Sequence, residues 1–178
     1  GTMAIRVAAR VQGDAGSNRA SVAVELTGTG RPHRVHYRAI VELAHGLPDP
    51  PLLKLTPLAD GRAFSMDVAE LYRRWLFHGP LFQGIRRVDL VGQSGIKSLL
   101  ATSSPDRWIA GAPPGQWLFD PLTFDCALQL VVLWAREHWD MTAWPSGFQS
   151  FRRFAAFSAR HVLCELRFRS NTGRQILQ

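Results

Sequence analysis

Apolar and polar residues alternate along the first part of the chain. Apolar residues occupy every second position in residues 4–11 and 19–26, and the turn-forming residues GDAGSN lie between the two segments. Residues 33–43 continue the alternation. A period of two is typical of β-strands. The pattern therefore predicts a meander of three strands within residues 1–45.

A proline-rich segment separates these strands from the rest of the chain. Four prolines lie between Ala44 and Gly61, where the sequence has no hydrophobic period. Prolines at this density keep a backbone extended, so residues 46–62 are predicted to form a linker. Asp67 and Glu70 then have the spacing of a capping box, which predicts a short helix through Trp75.

The longest helical pattern runs from Phe119 to Arg136 and has apolar residues on most of its surface. Asp120 supplies a side chain that can cap the first free N–H groups, and Pro121 suits the first helical position. A helix of this composition is expected to be surrounded by the rest of its fold. Asp125 and Gln129 share one face of it, because they are four residues apart. A carboxylate among apolar neighbours costs free energy, which favours a functional role for Asp125.

Alternating segments on both sides of this helix predict further strands. They are residues 82–90, 95–101, 149–157, 159–170 and the start of another strand within 171–178. Residues 102–116 are rich in turn-forming residues and are predicted to be an exposed loop. The predicted fold class is α+β, with strands on both sides of the long helix in the sequence.

Composition narrows the class of protein. The chain has 178 residues, of which 46% are hydrophobic, and this is enough to form a core. No apolar run reaches the length of a membrane span and the N-terminus lacks a signal-peptide pattern, so a cytoplasmic protein is expected. Residues 1–3 are interpreted as a cloning remnant, and the chain is expected to begin inside a longer polypeptide. Cys126 and Cys164 are expected to be buried structural thiols.

The net charge is strongly positive. The sequence has 21 lysines and arginines against 14 aspartates and glutamates, which gives +7 at pH 7. This charge suits nucleic acid, a membrane surface or an acidic carrier or cofactor. The arginines occur in short dispersed pairs, without the motifs of nucleic-acid-binding domains. A solvated basic surface is therefore expected, and neither nucleic acid nor a membrane is predicted as a partner.

Several enzyme classes lack support in the sequence. It contains no HExxH or CxxC metal motif, no phosphate-binding glycine loop and no G-x-S-x-G nucleophile motif. No metal and no cofactor are therefore expected. The remaining candidates are Asp125 and the segment FHGPLFQG at residues 77–84, whose aromatic side chains can form the wall of a slot. A purely structural role for Asp125, Gln129 and His78 stays open, because polar groups inside folds are usually satisfied by neighbouring hydrogen bonds.

Two motifs in this order resemble a known family. The run YRRWLFHGPLFQGI, residues 72–85, resembles the tyrosine-glycine-proline-phenylalanine element of dehydratase domains from polyketide synthases and polyunsaturated-fatty-acid-type synthases. The run FDPLTFDCALQ, residues 119–129, resembles their second catalytic motif, HPxxLDxxxQ. The resemblance implies a double hotdog, in which two curved antiparallel sheets each wrap around a long helix. Residues 1–45 then resemble the end of the first hotdog and residues 63–178 the second.

The resemblance also implies a reaction and a site. The family removes water from a 3-hydroxyacyl thioester on an acyl carrier protein, and gives a 2-enoyl thioester. Asp125 then corresponds to the catalytic aspartate, which protonates or orients the departing hydroxyl, and Gln129 to its partner. The residues expected to bind the acyl chain and the phosphopantetheine arm are His78, Gly79, Pro80, Phe82 and Phe124. The implied partners are the acyl carrier protein, neighbouring synthase domains and, as an open possibility, a second copy of the chain.

Three departures from the family pattern affect this interpretation. The catalytic histidine of the family lies in an HxxxGxxxxP motif, and neither His36 nor His45 is followed by that pattern. Asp120 stands in place of the histidine before the proline, and His78 in place of the tyrosine before Gly79. The base is therefore expected outside this chain, which alone should be inactive. The alternative is a degenerate, non-catalytic hotdog with a scaffolding or acyl-binding role in the synthase.

Overall fold

The chain divides into two units, residues 1–49 and residues 50–178. The computed structural model describes residues 4–12, 19–28, 35–52, 56–58 and 60–168. The described residues form antiparallel sheets together with helices, so the predicted α+β class is confirmed.

The first unit is a sheet of three antiparallel strands. Its strands are β1 (Ile5–Gln12), β2 (Arg19–Gly28) and β3 (Val35–Ala44), in the order β1-β2-β3. Val22 pairs with Val11 on one side and with Val41 on the other. Every described residue of β1 is exposed, and Val22 is the one buried residue in the described part of this unit. The predicted meander is therefore present in the structure.

The second unit begins without regular structure and then forms a short helix. Residues 46–52 and 56–58 lie in neither helix nor strand, which agrees with the predicted linker. Helix α1 covers Val68–Arg74, and the side chain of Asp67 accepts a hydrogen bond from the backbone N–H of Glu70 at 2.8 Å. The predicted N-cap is thus confirmed. The carboxylate of Glu70 pairs with Arg74 at 3.0 Å, a spacing of four residues along the helix.

A second antiparallel sheet supports the core of this unit. Its strands are β4 (Ile85–Gly92), β5 (Gly95–Ala101) and β6 (His161–Arg167), in the order β4-β5-β6. The predicted hairpin is correct, but β4 begins at Ile85 rather than at residue 82, because Pro80–Phe82 forms a 3₁₀ turn.

The strand predicted for residues 149–157 is wrong, and residues 171–178 lie outside the described residues. The alternation in residues 149–157 reflects aromatic packing instead of strand pairing. The rings of Phe151 and Phe119 lie 4.6 Å apart, and the rings of Phe148 and Phe124 lie 5.6 Å apart. These contacts hold the segment beside the start of the long helix without a partner strand.

Helix α2 (Pro121–Trp139) is the centre of the second unit, and none of its residues is exposed. Its apolar residues pack with residues of the sheet and of α1 in one core, which includes Leu130, Leu133, Ile96, Leu100 and Leu71. The helix ends at Asp140, whose backbone has the left-handed conformation. The prediction of a surrounded helix is therefore confirmed, and α2 extends three residues beyond the predicted end at Arg136.

Asp120 caps α2 and also connects it to the preceding loop. Its Oδ1 accepts hydrogen bonds from the backbone N–H of Leu122 at 3.0 Å and of Thr123 at 3.2 Å. The backbone N–H and the hydroxyl of Ser103 donate to the same carboxylate at 2.6 and 2.8 Å. The residue is only 6% exposed. The structure therefore explains an aspartate at this position by its four hydrogen bonds.

Replacing Asp120 by alanine is expected to lower the free energy of unfolding by roughly 3 kcal/mol, because buried N–H groups of Leu122, Thr123 and Ser103 lose their acceptor. Asp120→Asn retains an acceptor for the helix cap and should cost only about 1 kcal/mol. Urea unfolding curves of the two variants measure the difference. An equal loss of unfolding free energy in Asp120→Ala and Asp120→Asn would contradict the capping role of Asp120.

Candidate active site

The segment 77–84 forms a closed turn between α1 and β4. Pro80–Phe82 is a single 3₁₀ turn, in which the backbone N–H of Phe82 donates to the carbonyl of Gly79 at 2.9 Å. The side chain of Gln83 donates to the carbonyl of His78 at 2.9 Å and joins the two ends of the turn. Proline at the first position of the turn fixes φ without the loss of a hydrogen-bond donor. Gly79 and Pro80 therefore shape the backbone that carries His78.

Gly84 allows this turn to lie directly on α2. A Cβ at position 84 would lie 2.6 Å from Sγ of Cys126 and 2.7 Å from Cδ1 of Leu122. Both distances are shorter than van der Waals contact, so a side chain at residue 84 would force the turn and the helix apart. The close approach places the carbonyl of Phe82 within hydrogen-bond distance of Gln129 on α2.

Asp125 and Gln129 interact across one helical turn, as the spacing predicted. Nε2 of Gln129 donates to Oδ2 of Asp125 at 2.7 Å and to the carbonyl of Phe82 at 2.9 Å. Gln129 is 1% exposed, whereas the side chain of Asp125 is 31% exposed. The carboxylate therefore lies at the edge of the core, in partial contact with solvent, and the amide lies inside the core.

Tyr72 is a site residue that the sequence analysis did not identify. Its hydroxyl donates to Oε1 of Gln129 at 2.9 Å and accepts from the backbone N–H of Ile85 at 3.0 Å. Burial raises the pKa of Tyr72 well above its usual value, so the phenol keeps its proton and remains a donor. The sequence feature that could have identified Tyr72 is its position as the first residue of the family-like run 72–85, which ends at its partner Ile85.

His78 lies beside Asp125. Its Nε2 is 3.5 Å from Oδ2 of Asp125, and its side chain is 13% exposed. The imidazole stacks on Phe77 with 4.2 Å between the ring centroids. Among the ion pairs of the described residues, this is the one that joins Asp125 to an imidazole. His78 was predicted to bind substrate, which stays a prediction, and its contact with the carboxylate was not predicted.

The two phenylalanines predicted to bind substrate lie in different aromatic groups. The ring of Phe82 packs edge to face on Trp108 at 4.8 Å. The ring of Phe124 lies 4.6 Å from that of Phe119 and 5.9 Å from that of Phe151. Phe82 contributes its backbone carbonyl to the Gln129 hydrogen bonds, and Phe124 contributes to the wall of aromatic rings beside the start of α2. Contact of either residue with substrate stays a prediction.

Both cysteines are free thiols; Cys126 is buried, as expected, whereas Cys164 is half-buried. Burial raises the pKa of Cys126 to about 12 and that of Cys164 to about 11. Both thiols are therefore protonated at neutral pH, which argues against a nucleophilic role.

In the described part of the chain, no group of three or more histidine, cysteine or acidic residues is arranged to hold a metal ion. No helix among the described residues has both the length and the apolar character needed to cross a membrane.

Comparisons with known proteins identify the family and the fold of the chain. The family model for the polyketide synthase dehydratase N-terminal domain matches residues 54–176, which is more than half of the chain. The chain belongs to the polyketide synthase dehydratase family. No curated protein matches it.

A solved structure from work on dehydratase substrate selection for the borrelidin and fluvirucin polyketide synthases has the same fold as this dehydratase-family chain. The two share 20% identity with a TM-score of 0.50, and the match covers 94% of this chain and 57% of the solved chain. The antiparallel sheets and the long helix are thus those of a hotdog fold. The family model is described as an N-terminal domain, whereas the motifs predicted the second hotdog. The division into residues 1–45, 46–62 and 63–178 stays a prediction.

Proposed function

We propose that this chain binds 3-hydroxyacyl thioesters on an acyl carrier protein and supplies the acid that helps to eliminate water from them. The observation that carries the proposal is the position of Asp125. Gln129 holds its Oδ2 at 2.7 Å, the side chain is 31% exposed, and no described residue forms a hydrogen bond to Oδ1. One oxygen of the carboxyl group is thus fixed by the protein, and the other is available to a substrate hydroxyl.

The proposed reaction uses Asp125 as a general acid. A base removes the proton from the α-carbon, the electrons of that bond form the double bond, and the bond from the β-carbon to oxygen breaks. Asp125 gives its proton to the departing hydroxyl, which leaves as water. A positioned acid of this kind contributes roughly 100-fold to 10,000-fold to a rate. The α-proton requires a base that the motifs of this chain do not supply, so the proposal includes a histidine from another part of the dehydratase.

The carrier protein is the proposed partner of the basic surface. Acyl carrier proteins are acidic, and the chain carries a net charge of +7. Arg73 and Arg74 next to the site are 73% and 55% exposed in their side chains, so they can meet an acidic surface. Complementary charge increases the rate of association and orients the partners more than it adds to affinity.

One observation favours a second candidate function, that of a non-catalytic hotdog which binds acyl chains. His78 lies 3.5 Å from Asp125 in place of the family's tyrosine. The side chain beside Asp125 thus differs in size and chemistry from the family pattern, at the place where the acid would act. In this second function the domain would retain its binding surface without using Asp125 as an acid.

The two functions are distinguished by incubating the complete dehydratase that contains this chain with a 3-hydroxyacyl thioester on its carrier protein. Mass spectrometry should detect the loss of water and the formation of the 2-enoyl thioester. Saturable carrier binding without any product would reject the catalytic proposal and support the non-catalytic one. A parallel titration with DNA controls for the basic surface, since nucleic-acid binding would weaken steeply with salt.

A further inference from the structure

Two side-chain nitrogen atoms lie close to the same carboxylate oxygen of Asp125, Oδ2. Nε2 of Gln129 lies 2.7 Å and Nε2 of His78 lies 3.5 Å from Oδ2. We propose that His78 is a positioning residue that donates a hydrogen bond from Nε2 to Oδ2, so that the acid proton of Asp125 resides on Oδ1. The part of this inference that concerns catalysis rests on the proposed dehydratase function.

The orientation of Gln129 is fixed by its other partners. The hydroxyl of Tyr72 accepts from the backbone N–H of Ile85, so its own hydrogen is directed to Oε1 of Gln129. The two hydrogens on Nε2 of Gln129 then point to the carbonyl of Phe82 and to Oδ2 of Asp125. Oδ2 is therefore an acceptor. A carbonyl oxygen is a better acceptor than the oxygen of a carboxyl O–H group, so these N–H donors favour a neutral Asp125 with its proton on Oδ1.

The surroundings of His78 select one of its two neutral tautomers. Nδ1 is buried and has no hydrogen-bond partner among the described residues. A buried N–H group without an acceptor costs about 1–3 kcal/mol, and unpaired acceptors are tolerated more often than unpaired donors. The proton of the neutral ring is therefore expected on Nε2, which faces Asp125. This assignment makes His78 a donor to the carboxylate and leaves no accessible lone pair for a base.

The contact between His78 and Asp125 should strengthen during the reaction. The present 3.5 Å is longer than an ordinary N–H···O hydrogen bond. Hydrogen bonds at active sites are often long before substrate binds, and those to a charged acceptor are shorter and roughly twice as strong. When Oδ1 gives up its proton, Asp125 becomes a carboxylate with two N–H donors at Oδ2. His78 thus stabilises the charge that develops in the transition state without touching the substrate.

The tautomer can be measured without any assay of activity. The chain with ¹⁵N-labelled histidine is examined by NMR across the pH range in which it is folded. The signals of His78 are assigned through its own backbone, and couplings to the ring protons identify which nitrogen carries hydrogen. A neutral ring protonated at Nε2 is expected. A ring protonated at Nδ1, or at both nitrogens throughout the range, would overturn the inference.

Kinetics of the complete dehydratase test the catalytic part. His78→Phe keeps the ring that stacks on Phe77 but removes the donor, and should lower the dehydration rate about ten-fold with an unchanged KM. His78→Tyr restores an O–H donor and should recover part of the loss. In an enzyme that already carries Asp125→Asn, adding His78→Phe should not lower the dehydration rate any further.

An equal ten-fold loss in that double variant would show that His78 acts independently of Asp125, and would reject its positioning role. Unchanged turnover in His78→Phe would reject it as well. A complete dehydratase that forms no 2-enoyl product at all would reject the proposed function, whereas the NMR measurement would still decide whether His78 donates to Asp125.

Discussion

Replacing Asp125 by asparagine is expected to lower the rate of 2-enoyl thioester formation about 100-fold or more in the complete dehydratase. An amide has the same shape as the carboxyl group but is far too weak an acid to protonate a departing hydroxyl. The fold should survive, because the amide oxygen can take the place of Oδ2 and accept from Gln129, whose donor lies 2.7 Å away. The measurement is the single-turnover rate of product formation on the carrier protein.

Asp140→Asn is the matched control for this change. Asp140 follows the last residue of the same helix, its side chain is 97% exposed, and its left-handed backbone accommodates asparagine. The control removes the same charge next to the end of the same helix and should leave the dehydration rate unchanged. Turnover of Asp125→Asn at the wild-type rate would mean that another group protonates the hydroxyl.

Replacing Gly84 by alanine should destabilise the second unit by about 3 kcal/mol, at the upper end of the usual cost of overpacking. The added Cβ would lie 2.6 Å from Sγ of Cys126 on α2, and the sulfur is buried, so it has no free space to move into. The turn must then shift away from the helix. Since the turn carries the carbonyl of Phe82, the shift should also weaken the hydrogen bond that orients Gln129.

Gly79→Ala provides the comparison within the same turn. A Cβ at position 79 meets no atom within 4 Å, and the backbone φ of −69° is ordinary for alanine. The free energy of unfolding of Gly79→Ala should stay within about 0.5 kcal/mol of the wild-type value. Urea unfolding followed by tryptophan fluorescence measures both variants. Equal stability of the two alanine variants would show that the contact between Gly84 and α2 does not hold the turn in place.

Local features of the sequence were sufficient to predict α2 and its polar face. The cap at Asp120, the proline at residue 121 and the spacing of Asp125 and Gln129 involve only neighbours along one helix. The first three strands were predictable for a similar reason, because a period of two is a local signal. These parts of the fold do not depend on which segment packs against which.

Residues 149–157 were mispredicted because alternation has more than one cause. The strand was predicted on Phe151 and Phe154, but the ring of Phe151 packs on Phe119, and the ring of Phe148, just before the segment, packs on Phe124. The partners of these rings lie more than twenty residues away in the sequence. A single sequence does not reveal whether an aromatic residue faces a sheet or another ring.

The contact between Asp125 and Gln129 was predictable from the sequence, but the contacts of Tyr72 and His78 were not. Asp125 was identified by its position on the helix and by the family resemblance. The contacts of Tyr72 and His78 depend on how closely the turn approaches α2, and that distance is set by the missing side chain at Gly84. The glycine is visible in the sequence, but its role requires knowledge of which helix lies opposite.

The hydrogen bonds from Tyr72 to Gln129 and from Gln129 to Asp125 also have a stereochemical consequence. They make the two oxygens of one carboxyl group inequivalent, because Oδ2 accepts from Gln129 and no described residue forms a hydrogen bond to Oδ1. Under the proposed function, a hydroxyl that receives its proton from Asp125 would therefore have to approach from the side of Oδ1.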